Sequence, residues 1–196
     1  MGNSQMTLSN HVPVLALGRI QRAKGFKGDI RVTSRGELLS SFQLPANVKL
    51  YRAEGIRDGL LLNPVFSKEV TLVDIPEVNP DYAVVRFEHY SNVDLIETIK
   101  GLSLGIPLQE AREKFADEEE PWLFQYLDCK VINNSAEFGR VVRIEEHGNN
   151  THAVVKMLND KELLFPLFSP YVLKIDFKNH TIHTENLEWL DPELAD

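Results

Sequence analysis

The chain has 196 residues, 43% of them hydrophobic and 26% charged, an ordinary globular mixture that argues against wholesale disorder. Its formal net charge is −8, from 21 basic and 29 acidic residues. That balance does not suit a protein that coats nucleic acid without selectivity, because neutralising phosphates needs a basic surface. No apolar run approaches the roughly 18 residues of a membrane span, and the single cysteine, Cys129, rules out an internal disulfide.

Met1 to His11 is polar and lacks the basic-then-apolar pattern of a secretory signal. Together with the absence of disulfides, this gives the expectation of a soluble, cytoplasmic monomer with disordered tails at 1–11 and 191–196. Val12 to Ile20 reads as a strand, Gly25-Phe26-Lys27-Gly28 as a turn, and Asp29 to Ser34 as a second strand. Val48 to Arg52, Gly59 to Phe66, Val70 to Val78 and Tyr82 to Phe87 continue the series. Asn79-Pro80-Asp81 makes the last turn, since proline fixes φ and the flanking Asn and Asp bond the local backbone. One helix interrupts. Ser91 is placed to cap it, Asp94 follows three residues on, Leu95, Ile96 and Ile99 fall at helical spacing, and Gly101 is the stop. Leu102 to Leu108 returns as a strand.

Gln109 to Pro121 is charged, holds one large apolar residue (Phe115), and ends in four acids and a proline, so it reads as a linker. Beyond it, strands are expected at Tyr126 to Ile132, Gly139 to Glu145, Thr151 to Met157, Glu162 to Phe165, Val172 to Phe177 and Thr181 to Thr184. The composition therefore predicts a mostly β chain of two small domains, at 12–108 and 122–190, around a linker at 109–121.

Charge is unevenly spread. Val12 to Arg35 carries six cations (Arg19, Arg22, Lys24, Lys27, Arg31 and Arg35) against one acid, Asp29. The glycines around the turn supply positive φ rather than a phosphate cradle, because a strand follows them and no helix start does. The cations have two readings: a solvated face, or a docking face for RNA phosphates on an otherwise acidic body.

Gly18-Arg19-Ile20, then Gly25 to Gly28, then Asp29-Ile30-Arg31-Val32 resembles the N-terminal signature of the RimM family of bacterial ribosome maturation factors. Arg86-Phe87-Glu88, the Asp94 to Ile99 helix and Lys100-Gly101-Leu102-Ser103-Leu104 are similar to the next block of that family. Phe138-Gly139-Arg140-Val141-Val142, His147-Gly148-Asn149-Asn150 and Leu163-Leu164-Phe165-Pro166 resemble its C-terminal half. The resemblance covers about residues 12–190. It implies a translation-factor-like β-barrel with one short helix, followed by a PRC-barrel. It also implies binding to the head of the immature small ribosomal subunit, through ribosomal protein nineteen of that subunit and nearby 16S rRNA. No catalytic residue, metal, cofactor, small-molecule substrate or membrane belongs to that picture.

Under this resemblance, Arg19, Arg22, Lys24, Lys27 and Arg31 are the expected contacts to rRNA or subunit, and His147, Gly148, Asn149 and Asn150 the expected contacts to the ribosomal protein. The C-terminal domain is assigned the protein partner because acids outnumber its cations. For the last turn, simple hairpin closure is an alternative. Where the family has paired tyrosines this chain has Pro121-Trp122, and glycine is replaced at Asp128. Trp122, with Phe124, is then an aromatic anchor, either packing between domains or touching a partner. Two rival functions stand beside this one: a metal-binding or hydrolytic β protein using His147, His152, His180 and His183, and a generic protein-interaction module. The histidines lack metal-site spacing, Cys129 reads as a core residue, and the Asp117 to Glu120 carboxylates read as solvated.

Overall fold

The computed structural model describes residues 12–25, 27–33, 37–116, 121–148 and 150–190. Both expected tails, the acids at 117–120, Phe26, Arg35 and Asn149 lie outside the described residues. The protein is mostly β, with two sheets in two units, Met1–Ala111 and Arg112–Asp196.

The first unit contains β1 (Val14–Ala23), β2 (Ile30–Thr33), α1 (Glu37–Ser40), β3 (Ala46–Arg52), β4 (Gly55–Arg57), β5 (Leu60–Leu62), β6 (Val65–Val78), β7 (Tyr82–Phe87), α2 (Val93–Glu97) and β8 (Ser103–Pro107). Its hydrogen-bonded neighbours run β2-β7-β6-β3-β8-β1, and β1 pairs with β2 again, so the ladder returns on itself. β5 and β4 extend from β1 as a flap. Period-2 alternation drives this arrangement: Ile30 and Val32 on β2, Val48 and Leu50 on β3, and Val70 and Leu72 on β6 all point inward and are buried. Each such aliphatic side chain contributes about 1.5–3 kcal/mol on burial.

Helix α2 starts one residue later than its sequence suggests. Asn92, not Ser91, is the cap, and its Oδ1 accepts the Leu95 amide at 3.0 Å. Asn and Ser are equally good caps, so propensity cannot separate adjacent candidates. Ile96 and Ile99 are fully buried, and Gly101, at φ +80°, ends the segment. The Gly101 amide then donates to the Ile20 carbonyl at 2.9 Å, which ties the end of the helix to β1.

The expected linker needs a correction. Leu108–Lys114 is a helix, α3, and the division between units falls inside it. Leu108, Ala111, Arg112 and Phe115 are all buried. Leu108, Ala111 and Phe115 stand three and four residues apart, one helical stripe, so a charged segment still has a face to bury.

The second unit opens on a 3-10 turn, Leu123–Tyr126, followed by β9 (Lys130–Asn133), β10 (Ala136–His147), β11 (Asn150–Met157), β12 (Glu162–Pro166), β13 (Val172–Asp176) and β14 (Thr181–Thr184), and closes on a second 3-10 turn, Leu187–Leu190. The sheet order is β12-β11-β10-β9-β14-β13, antiparallel except where β14 runs parallel to β9. Its core joins Cys129, Val131, Val155, Phe165, Ile182 and Leu187, all fully buried. Gly139 is required where β10 crosses β11, because a Cβ there would lie 2.2 Å from the Lys156 carbonyl oxygen.

Candidate nucleic-acid interface

The β1–β2 hairpin gathers the cations at its tip. A bulge at Gln21 shifts the register so that Arg22 stands directly opposite Arg31. Like charges facing each other across a sheet destabilise it, so the pair is an arrangement that folding alone disfavours. Together with Ala23, Lys24, Gly25 and Tyr82 the two arginines line a cavity of about 270 Å³. Tyr82 begins β7 opposite Thr33, two residues along from Arg31 on the same face. The Arg31 guanidinium carbon lies 4.0 Å from the Tyr82 ring centroid, a cation–π contact that holds the guanidinium plane in place.

Carboxylates neutralise some of these cations and not others. Lys24 donates to Oε2 of Glu77 on β6. Oε1 of Glu77 accepts the Tyr82 hydroxyl at 2.6 Å and the Asn79 side-chain amide at 2.9 Å. The hydrogen bond from Lys24, followed by that from Tyr82, lowers the Glu77 carboxyl to about 2. Asp29, the one acid of the hairpin, accepts Arg86 Nε at 2.5 Å, and Arg86 also reaches Asp74 at 2.7 Å. Among the described residues, no carboxylate pairs with Arg22, Lys27 or Arg31.

Of the residues expected at this site, Arg22, Lys24 and Arg31 converge on the cavity, whereas Lys27 is exposed on the turn and does not line it. Arg19 lies further along β1 and donates through Nε to the Gly101 carbonyl at 3.0 Å, so part of its guanidinium braces the end of α2. Tyr82 and Glu77 escaped the sequence reading. Both flank the Asn79-Pro80-Asp81 turn, which is visible in the sequence, but only the pairing of β7 with β2 brings that turn to the basic hairpin.

In the second unit, Trp122 stacks on Phe124 with ring centroids 6.5 Å apart and 17° between planes. Both meet Phe115 edge-on, at 6.2 and 6.0 Å. Phe124 is buried and Trp122 half-buried. At the β10–β11 hairpin, His147 pairs with Asn150, and Gly148 has φ +63° with open space around it. Nε2 of His147 is 3.1 Å from Glu145, which also accepts Arg143 Nε at 2.8 Å. The bond from Arg143, then that from His147, pulls the Glu145 carboxyl below its ordinary value.

The His147 and His152 rings touch edge-on, 5.0 Å between centroids. His180 sits elsewhere, its carbonyl accepting the amide of Lys130, which pairs with Arg140, seven residues back along β10 from His147. The four histidines therefore do not converge, and no group of three or more His, Cys, Asp or Glu placed to hold a metal occurs among the described residues. Burial pushes the Cys129 thiol up to about 11. Among the described residues no helix is long and apolar enough to cross a membrane.

The chain is thus a two-unit β protein whose basic hairpin carries, among the described residues, two arginines without a carboxylate partner beside an aromatic ring. No protein-family model matches the chain. It is 28% identical over 180 residues to ribosome maturation factor RimM of Streptococcus suis, covering 90% of this chain and 96% of that protein. It is 27% identical over 180 residues to RimM of Thermotoga maritima, covering 90% and 93%. It is also similar to RimM of Oceanobacillus iheyensis, 25% identical over 173 residues, covering 88% and 94%. Among solved structures, a 16S ribosomal RNA processing protein RimM from Pseudomonas aeruginosa aligns with a TM-score of 0.38 and 20% identity, over 88% of this chain and 97% of that one. The chain is similar to RimM proteins along nearly its whole length, which bears out the resemblance carried by its motifs.

Proposed function

We propose that this protein is a ribosome maturation factor that binds the immature small ribosomal subunit and supports late assembly and processing of 16S rRNA. The observation that carries the proposal is the likeness to RimM ribosome maturation factors across about nine-tenths of the chain, spanning both units. The cation-lined hairpin supports it as a site for rRNA phosphates. The protein acts by binding: it favours one state of a maturing RNA–protein neighbourhood only if it binds the immature subunit better than the mature one, since equal affinity for both shifts nothing. The finer reading places it at the subunit head, in the cytoplasm, with the His147–Asn150 hairpin against ribosomal protein nineteen.

Co-sedimentation of the full chain with immature and with mature small subunits at moderate salt tests the function. Stronger retention on immature particles is expected, and no retention on either overturns the proposal. Pull-down with purified ribosomal protein nineteen tests the finer reading, which requires His147→Ala with Asn150→Ala to weaken capture while circular dichroism stays unchanged.

A further inference from the structure

We propose that the cavity at the tip of the β1–β2 hairpin binds one phosphodiester of unpaired RNA between Arg22 and Arg31, and that Glu77 acts as a built-in counter-anion withholding Lys24 from it. This inference rests on the RNA-docking reading above and divides the hairpin's charges by role. Arg22 and Arg31 face each other across the hairpin and line one cavity, and among the described residues no carboxylate pairs with either. An anion bridging the pair offsets their like charge, and guanidinium forks match phosphate oxygens. Tyr82 backs Arg31 and pre-sets its plane, which leaves edge donors for phosphate and a flat surface on which an unpaired base can stack. Among the described residues no side-chain amide or carboxylate lines the cavity, so its polar lining is chiefly cationic and suits a phosphate, a contact that positions RNA rather than selecting sequence.

Lys24 lines the same cavity, but its ammonium is occupied by Glu77 Oε2. The two oxygens of Glu77 divide their work: Oε1 takes Tyr82 and Asn79, and Oε2 takes Lys24. Glu77→Gln can therefore keep both Oε1 bonds with its amide oxygen while presenting an NH2 to Lys24, which releases the lysine with the local frame retained.

The test is fluorescence anisotropy of a labelled oligouridylate against the full-length protein and its variants across a salt series, with a blunt RNA duplex as the second probe. For single strands log K changes by about 0.7 per decade of salt for each phosphate contact, so one contact is worth about five-fold at 0.1 M salt. Arg22→Ala and Arg31→Ala should each weaken binding, and the double variant should lose about five-fold and flatten the salt slope by about 0.7, the worth of the one phosphate they share. Glu77→Gln, by freeing Lys24 for the phosphate next along the strand, should tighten binding about five-fold and steepen the slope by about 0.7, and adding Lys24→Ala to it should abolish the gain. Unchanged or weaker binding by Glu77→Gln at an unchanged melting temperature overturns the counter-anion role. Unchanged binding by both arginine variants overturns the phosphate site, as does failure of the wild-type protein to bind oligouridylate. Tighter binding of the duplex overturns the assignment to unpaired RNA. Each of these results leaves co-sedimentation with subunits intact, whereas loss of co-sedimentation in the wild-type protein sinks the functional reading itself.

Discussion

Gly28 shows how a single residue shapes the interface. Its φ is +82°, and a Cβ added there would meet the Tyr90 carbonyl oxygen at 2.6 Å. Gly25, at the other end of the turn, has φ +75° but open space around it. Both glycines supply a left-handed backbone, and only one also permits close packing against Tyr90 and Ser91. Gly28→Ala should therefore cost about 2–3 kcal/mol, combining backbone strain with a clash against main chain that cannot rotate away. Gly25→Ala should cost about 1 kcal/mol from the strain alone. Urea unfolding of the full chain separates them, and equal losses would show that the Tyr90 contact has no energetic weight. Asp128 is a comparable case: it adopts φ +58° where the RimM resemblance leads one to expect glycine, a conformation that Asp tolerates better than most residues. The absence of glycine there leaves the turn in place.

At the scale of elements, the Phe115–Trp122–Phe124 group shows what the segment after α3 does. Phe115 is 3% exposed and its ring meets both partners edge-on. Gln125 also donates a side-chain hydrogen bond to the Phe115 carbonyl at 3.1 Å. The lone large apolar residue of the expected linker is thus buried against Trp122 and Phe124. Removing a buried phenylalanine ring costs about 3–5 kcal/mol, the lost transfer energy plus the cavity left behind. Phe115→Ala should therefore lower the unfolding midpoint of the isolated second unit sharply. A shift corresponding to under 1 kcal/mol would return residues 109–121 to the status of a linker.

At the scale of the molecule, each unit has its own buried core and its own separate set of strand pairings. The second unit packs ten buried residues, from Cys129 to Leu187, into one cluster. Its size is within the range of domains that fold alone. Residues 1–111 and 112–196, expressed separately, should each give a cooperative thermal transition by circular dichroism. An unfolded baseline for either fragment would show that the units depend on each other for stability.

Much of this was legible in the chain itself. Period-2 alternation and turn chemistry act over two to six residues, so they mark strands whatever lies beside them. Tyr82–Phe87, after the Asn79-Pro80-Asp81 turn, and Thr181–Thr184 fall where alternation puts them. The crowding of cations between Val12 and Arg35 was equally plain, because charge is counted directly. What local signals could not supply was partnership. Short elements such as α1 and β4 carry too few residues for a period to emerge, and the three-and-four spacing of Leu108, Ala111 and Phe115 was masked by the acids around it. The division of the basic hairpin into bare arginines and a neutralised lysine depends on Glu77, 53 positions from Lys24 along the chain. Sequence alone settled which groups carry charge; the pairing of β2 with β7 and β7 with β6 decided which charges meet, because a salt bridge forms between neighbours in space and strand order sets those neighbours.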